Sequence, residues 1–169
     1  MQLSIFLRAV LTCASGLALA IPGLAGALEV NDPLPAVSVH DEAGVATELS
    51  GLKGKVTYID FWASWCPPCR ESFPFMNQLV ERYGKDGLNV VAISVDQDRA
   101  LADKALKRLV PQFKVMFDPS GEAAKAFKLP TMPTSFVIDA EGRVRSVKRG
   151  FRDGEKAELE KTISELLKS

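Results

Sequence analysis

Apolar and polar positions along the chain follow two periods, and the switches between them mark out the elements. Leu28–His40 alternates loosely and is broken by Pro33 and Pro35, which predicts an extended lead-in and a short strand at Val37–Val39. Asp41–Gly44 reads as a turn, with Val45–Thr47 pairing back. Val56–Trp62 is rich in β-branched and aromatic residues and predicts a buried strand. A helix should then run from Cys66 to about Tyr83, with Phe73, Met76, Val80 and Tyr83 on one face and Pro74 kinking it from within. Leu88–Val95 is apolar almost throughout, as a central parallel strand would be. Arg99–Val110 predicts a helix with Leu101, Ala105, Leu106 and Leu109 inward and Pro111 as its stop. A short strand at Lys114–Phe117 and a short helix at Gly121–Lys128 follow. Thr134–Asp139 and Arg143–Lys148 flank a turn as an antiparallel hairpin, and Gly154–Lys168 closes the chain as an amphipathic helix. This order predicts an α/β domain over residues 28–169: a mixed sheet with helices on both faces and an N-terminal strand or hairpin extension.

The first 27 residues do not fit that domain. Arg8 is the only charge before Glu29, an apolar stretch runs from Ala9 to Ile21, and Pro22 precedes the small-residue site Ala25-Gly26-Ala27. This is the pattern of a secretory signal cleaved after Ala27. An uncleaved membrane anchor is the alternative, since Ala9–Leu28 carries no charge and is long enough to span a bilayer. Either way the domain is expected outside the cytoplasm, in the periplasm or otherwise exported.

Charge narrows the function classes. Lys plus Arg number 21 and Asp plus Glu number 21, so the formal charge is zero and nothing calls for nucleic acid. The local run Arg143, Arg145, Lys148 and Arg149 reads as a solvated strand face. Of the three cysteines, Cys13 lies in the signal, which leaves Cys66 and Cys69 in the exported domain.

Three uses are open to such a pair. A closed structural zinc site wants four ligands, and the domain has no third cysteine and only one histidine, His40, read as a surface residue. A bracing disulfide would close a tiny loop and constrain little of the unfolded chain. Redox exchange suits the surroundings better. Cys66 should sit exposed at the mouth of a helix, where unpaired N–H groups and the helix dipole stabilise a thiolate. Cys69, one turn further in, should be buried and placed to resolve a mixed disulfide. No cofactor beyond this disulfide pair is expected, and no metal.

The segment Tyr58–Cys69, "YIDFWASWCPPC", resembles thioredoxin-fold oxidoreductases, and the likeness reaches past the cysteines. Asp60 stands six residues before Cys66, where thioredoxins carry a buried carboxylate, and Pro74 five after Cys69, where they carry a helix-kinking proline. Thr131–Asp139, "TMPTSFVID", resembles their cis-proline segment, which makes Pro133 the cis residue. The signal, the lead-in and the long region around Asp96–Leu129 resemble the exported TlpA/ResA/CcmG group of disulfide reductases. The resemblance implies Cys66 as the attacking thiolate, Cys69 as the resolving thiol and Asp60 as proton acceptor. It implies substrate contacts at Trp65, Pro67 and Pro68 and at Met132 and Pro133, where a partner peptide would add as a strand. Its implied partners are exported protein disulfides and a membrane electron donor that restores the dithiol. Cytochrome c maturation, copper-centre assembly and general thiol maintenance are the processes it suggests.

The chain departs from that group in one place. Many exported members carry a glutamate three residues after the second cysteine, where Ser72 stands here; the neighbouring acid, Glu71, points elsewhere around the helix and reads as solvated. The aspartate that those relatives often lack is present as Asp60. A copper carrier or non-enzymatic binding module on the same scaffold is the alternative function, with Met76 and Met132 as its only soft ligands beside the pair.

Overall fold

The computed structural model describes residues 26–169. The predicted signal or anchor, with Cys13, lies outside them apart from its last two residues. Among the described residues no helix is long and apolar enough to cross a membrane.

Seven strands form one sheet in the order β2-β1-β5-β4-β3-β6-β7. They are β1 (Ser38–His40), β2 (Ala46–Glu48), β3 (Thr57–Trp62), β4 (Asn89–Ser94), β5 (Lys114–Phe117), β6 (Thr134–Ile138) and β7 (Val144–Arg149). The three central strands β3, β4 and β5 run parallel, and every other pairing is antiparallel. Four α-helices complete the domain: α1 (Pro67–Tyr83), α2 (Arg99–Leu109), α3 (Glu122–Ala126) and α4 (Lys156–Leu166). This is the mixed, helix-covered sheet that the residue pattern predicts, and β3 lies in it with neighbours on both sides.

The two-residue period of β3 divides the core. Tyr58 and Trp62 enter an apolar cluster with Phe73, Phe75, Met76 and Leu79 of α1, Ala102 of α2, and Leu159 and Ile163 of α4. Ile59 and Phe61 enter the opposite cluster with Phe136 of β6, Ala123 of α3 and Phe127 just after it. Asp60 shares a face with Tyr58 and Trp62, so strand alternation alone aims it under α1. Aromatic edges hold that helix down: Trp62 meets Phe73 at 4.9 Å between centroids, and Tyr58 meets Phe75 at 6.5 Å, both T-shaped.

Several expectations shift. The first strand begins one residue later than predicted, at Ser38. On α2 the inward stripe is Ala102, Ala105, Leu106 and Leu109, and Leu101 is exposed. Positions 102, 105, 106 and 109 form a continuous helical stripe, whereas 101 falls beside it. The buried face of α1 is also wider than predicted and includes Ser72, Phe75 and Leu79, because the helix packs on the sheet and on α4 together. The basic run on β7 is not simply solvated. Arg149 pairs with Glu29 at 2.6 Å, and Lys148 with Glu158 at 2.7 Å, which ties β7 to the lead-in and to α4.

Phe73 is wholly buried between Trp62 and Phe113. Phe73→Ala is expected to cost about 3–5 kcal/mol of stability, read as a lower denaturant midpoint in chemical unfolding. A cost under about 1 kcal/mol would mean that α1 is not anchored through this ring.

Candidate active site

The site is assembled where β3 ends and α1 begins. The chain leaves Trp62, turns through Ala63–Trp65 and enters the helix at Pro67. Asp96, just past the end of β4, fixes that turn from beside it. It is buried and accepts the Ser64 N–H at 2.8 Å, the Ser64 hydroxyl at 2.7 Å and the Ser94 hydroxyl at 3.0 Å. Nothing in the sequence pattern marks Asp96, since the Ser64 it holds is 32 residues away.

Cys66 is the N-cap of α1, and its Sγ accepts the Cys69 N–H at 3.3 Å. It is joined to Cys69 in a disulfide. A thiolate formed at this position on reduction would face the same N–H and the same helix dipole. Pro67 and Pro68 form the first helical turn, where a missing N–H costs least, and both are exposed. Trp65 beside them is 64% exposed.

One expectation is corrected here. Cys66 is not an exposed residue in the disulfide form: it keeps 4% of its surface against none for Cys69. Its sulfur is bonded to Cys69 in the first turn of α1, and the residue packs in the apolar cluster under that helix. The two cysteines differ mainly in helix position.

The Met132–Pro133 peptide bond is cis, as the resemblance implies. Met132 is partly buried and packs against the cluster that contains both cysteines, while Pro133 is buried. Met76 is wholly inside the core, which leaves it no free side on which to hold copper. Glu71 is exposed, as expected. His40 is half-buried on β1, in register with Phe117, and its buried Nδ1 has no partner. Among the described residues no group of three or more His, Cys, Asp or Glu is placed to hold a metal ion.

Asp60 is 1% exposed. Burial pushes its pKa from 3.8 up to about 7, against a smaller lowering by a hydrogen bond from Ser72. The Ser72 hydroxyl lies 2.7 Å from Asp60 Oδ2 and 2.8 Å from the carbonyl oxygen of Cys69. Sequence reasoning marked Ser72 only as a missing glutamate. Its position three residues after Cys69, on the same helix face, was the available signal.

The Redoxin family model matches residues 29–163. The chain belongs to the Redoxin family. The thiol-disulfide oxidoreductase ResA of Bacillus subtilis (strain 168) is 31% identical over 143 residues, which is 83% of this chain and 80% of the relative. ResA of Bacillus thuringiensis subsp. konkukian (strain 97-27) is 32% identical over 131 residues, 78% of this chain and 76% of its own. A crystal structure described as a putative thiol:disulfide interchange protein DsbE from Chlorobium tepidum superposes with a TM-score of 0.79 at 40% identity, over 83% of this chain and 99% of that one. This Redoxin-family protein has the thioredoxin fold and is a thiol:disulfide oxidoreductase whose redox-active group is its cysteine pair.

The raised pKa of Asp60 has a sign that stability reports. Between 3.8 and about 7 the folded protein keeps the Asp60 proton while the unfolded chain releases it. The cost of burying this group is therefore absent at low pH, grows through that window and is complete above it. The stability difference between oxidised Asp60→Asn and the parent should widen in favour of the variant by on the order of 3 kcal/mol between about pH 4 and pH 8. Urea unfolding at a series of pH values measures it, and a constant difference would show that Asp60 titrates normally.

Proposed function

We propose that this enzyme works as a reductase of disulfides in exported proteins, with Cys66 attacking, Cys69 resolving and Asp60 receiving the proton. The asymmetry of the pair carries this reading: Cys66 caps α1, whereas Cys69 lies one turn inside, where its carbonyl and the buried Asp60 carboxyl share the Ser72 hydroxyl. In the reduced enzyme the Cys66 thiolate attacks a partner disulfide, forms a mixed disulfide and releases one partner thiolate. Cys69 then loses its proton to Asp60 and attacks Cys66 Sγ. The Cys66–Cys69 bond forms, the mixed disulfide breaks, and the second partner thiolate leaves and takes up a proton. Two electrons pass from the enzyme to the partner. With its pKa near neutrality, Asp60 can accept a proton at ambient pH and release it afterwards.

The partner backbone would add beside Met132, with Trp65, Pro67, Pro68 and Pro133 completing its seat. Among the described residues neither the N–H nor the C=O of Met132 bonds to other backbone, which leaves both free for an added strand. The first 27 residues would direct export or anchor the domain, and a membrane electron-transfer protein would restore the dithiol. The likeness to ResA thiol-disulfide oxidoreductases supports the exchange chemistry, and cytochrome c maturation, copper-centre assembly or thiol maintenance would be the process served.

Trapping tests the order of attack. Cys69→Ser should accumulate stable mixed disulfides with exported proteins, and Cys66→Ser almost none, because the remaining thiol is buried away from the helix mouth. Equal trapping by both variants would overturn the assignment. Direction is tested separately. Pro67 and Pro68 offer the Cys66 thiolate no N–H, leaving that of Cys69. Fewer donors make the dithiol a stronger reductant, so redox titration should give a potential near that of thioredoxin, about −270 mV. A value more oxidising than about −160 mV would reverse the direction.

A further inference from the structure

The Ser72 hydroxyl has one hydrogen and two acceptors. Asp60 Oδ2 lies at 2.7 Å and the Cys69 carbonyl oxygen at 2.8 Å, and the hydroxyl cannot donate to both. When Asp60 is charged, a charge-assisted bond is the stronger choice and the hydrogen goes to the carboxylate. When Asp60 is protonated, its own O–H can donate to Ser72 Oγ, and the Ser72 hydrogen is released to the Cys69 carbonyl. Both protonation states are then satisfied without moving a heavy atom. No other side-chain hydrogen bond reaches Asp60 among the described residues.

We propose that Ser72 is the positioning residue for Asp60, its single hydrogen turning between the Asp60 carboxylate and the Cys69 carbonyl as Asp60 loses and gains its proton. The consequence for turnover rests on Asp60 being the proton acceptor in resolution; the hydrogen-bond exchange itself rests on geometry alone. Ser72 lowers the pKa of a carboxyl that burial raises, and so holds it near neutrality. Without the hydroxyl, Asp60 should be mostly protonated at neutral pH and take the Cys69 proton less readily.

The surroundings leave this exchange as the local event near pH 7. On β3 itself, Tyr58 has its pKa raised well above 10.0, chiefly by burial, and stays neutral. The strand neighbours of Asp60 are Ala92 on β4 and Ser135 on β6. Beyond Ser135 in the same cross-strand row lies Lys148 on β7, paired to Glu158 of α4 at 2.7 Å. On α1 the cysteines are held in the disulfide and do not titrate. The one histidine, His40, sits on β1, three strands away.

The test uses the oxidised protein labelled with ¹³C at aspartate carboxyls, with the Asp60 signal assigned by its loss in Asp60→Asn. In Ser72→Ala the Asp60 midpoint should rise by about one pH unit or more, as expected for losing a hydrogen bond to a charged group. Ser72→Thr, which keeps the hydroxyl, should restore the parent midpoint. An unmoved midpoint in Ser72→Ala overturns the proposal, since a purely structural serine would cost stability without touching this titration. The kinetic arm reduces each protein, reacts it with dithiobis-nitrobenzoate and follows release of the second thionitrobenzoate. In Ser72→Ala that step should slow about fivefold at pH 7 and recover above about pH 8.5, following the charged fraction of Asp60. A shifted midpoint with unchanged release in both Ser72→Ala and Asp60→Asn would sink Asp60 as the proton acceptor and leave the Ser72 assignment standing.

Discussion

Burying a carboxyl in the middle of a sheet is unfavourable, and in this protein one hydroxyl offsets the cost only in part. Asp60 lies on β3 with strands on both sides and α1 above it, and it retains almost no exposed surface. The charged form meets one side-chain donor where water would offer several. That deficit brings its pKa to about 7. The arrangement exists only if β3 is central, if its register aims position 60 at α1, and if α1 is pressed close enough for Ser72 to reach. Trp62 and Tyr58, one step either side on the same face, supply that pressure through Phe73 and Phe75.

The same helix carries the second half of the chemistry. Its first turn is built from two prolines, which begin a helix at little cost in lost hydrogen bonds, and its N-cap is a cysteine. Helix and strand thus supply opposite electrostatics: the open N-terminus favours an anion at Cys66, while the buried strand disfavours one at Asp60. A proton leaving Cys69 moves toward a group for which neutral and charged states are close in free energy at ambient pH. The turn between strand and helix is steadied by Asp96, which binds Ser64 through both backbone and side chain.

Much of this was legible in the residues. The strands β3 and β4 are long apolar or β-branched runs, and helices of eleven residues or more show a clear period, so their types and near-correct limits follow from local pattern. The cysteine pair, its helix-mouth setting and the aspartate six residues before it are local in sequence as well. Less visible were features set by how elements meet. The inward face of α2 is offset by one residue because packing chose Ala102 over Leu101, and a larger apolar side chain was left in water. The basic residues of β7 find carboxylates on α4 and in the lead-in, partners whose proximity only the folded chain creates.

The sequence by itself determined the reaction class, because the thiol pair, the helix start around it and the aspartate and proline at thioredoxin-like spacings are all local in the chain. Tertiary structure decided how that pair is tuned. Ser72 reads as an ordinary helix serine until β3 and α1 are packed together. Then its one hydrogen lies between a buried carboxyl and the carbonyl of the resolving cysteine. Likewise the exposure of Cys66 could not be inferred from its place at a helix mouth. It depends on how the bonded pair packs against the apolar cluster beneath α1. Periodicity describes which face a residue belongs to, whereas hydrogen-bond partners and solvent contact are properties of the packed surfaces, and those form only when distant segments meet.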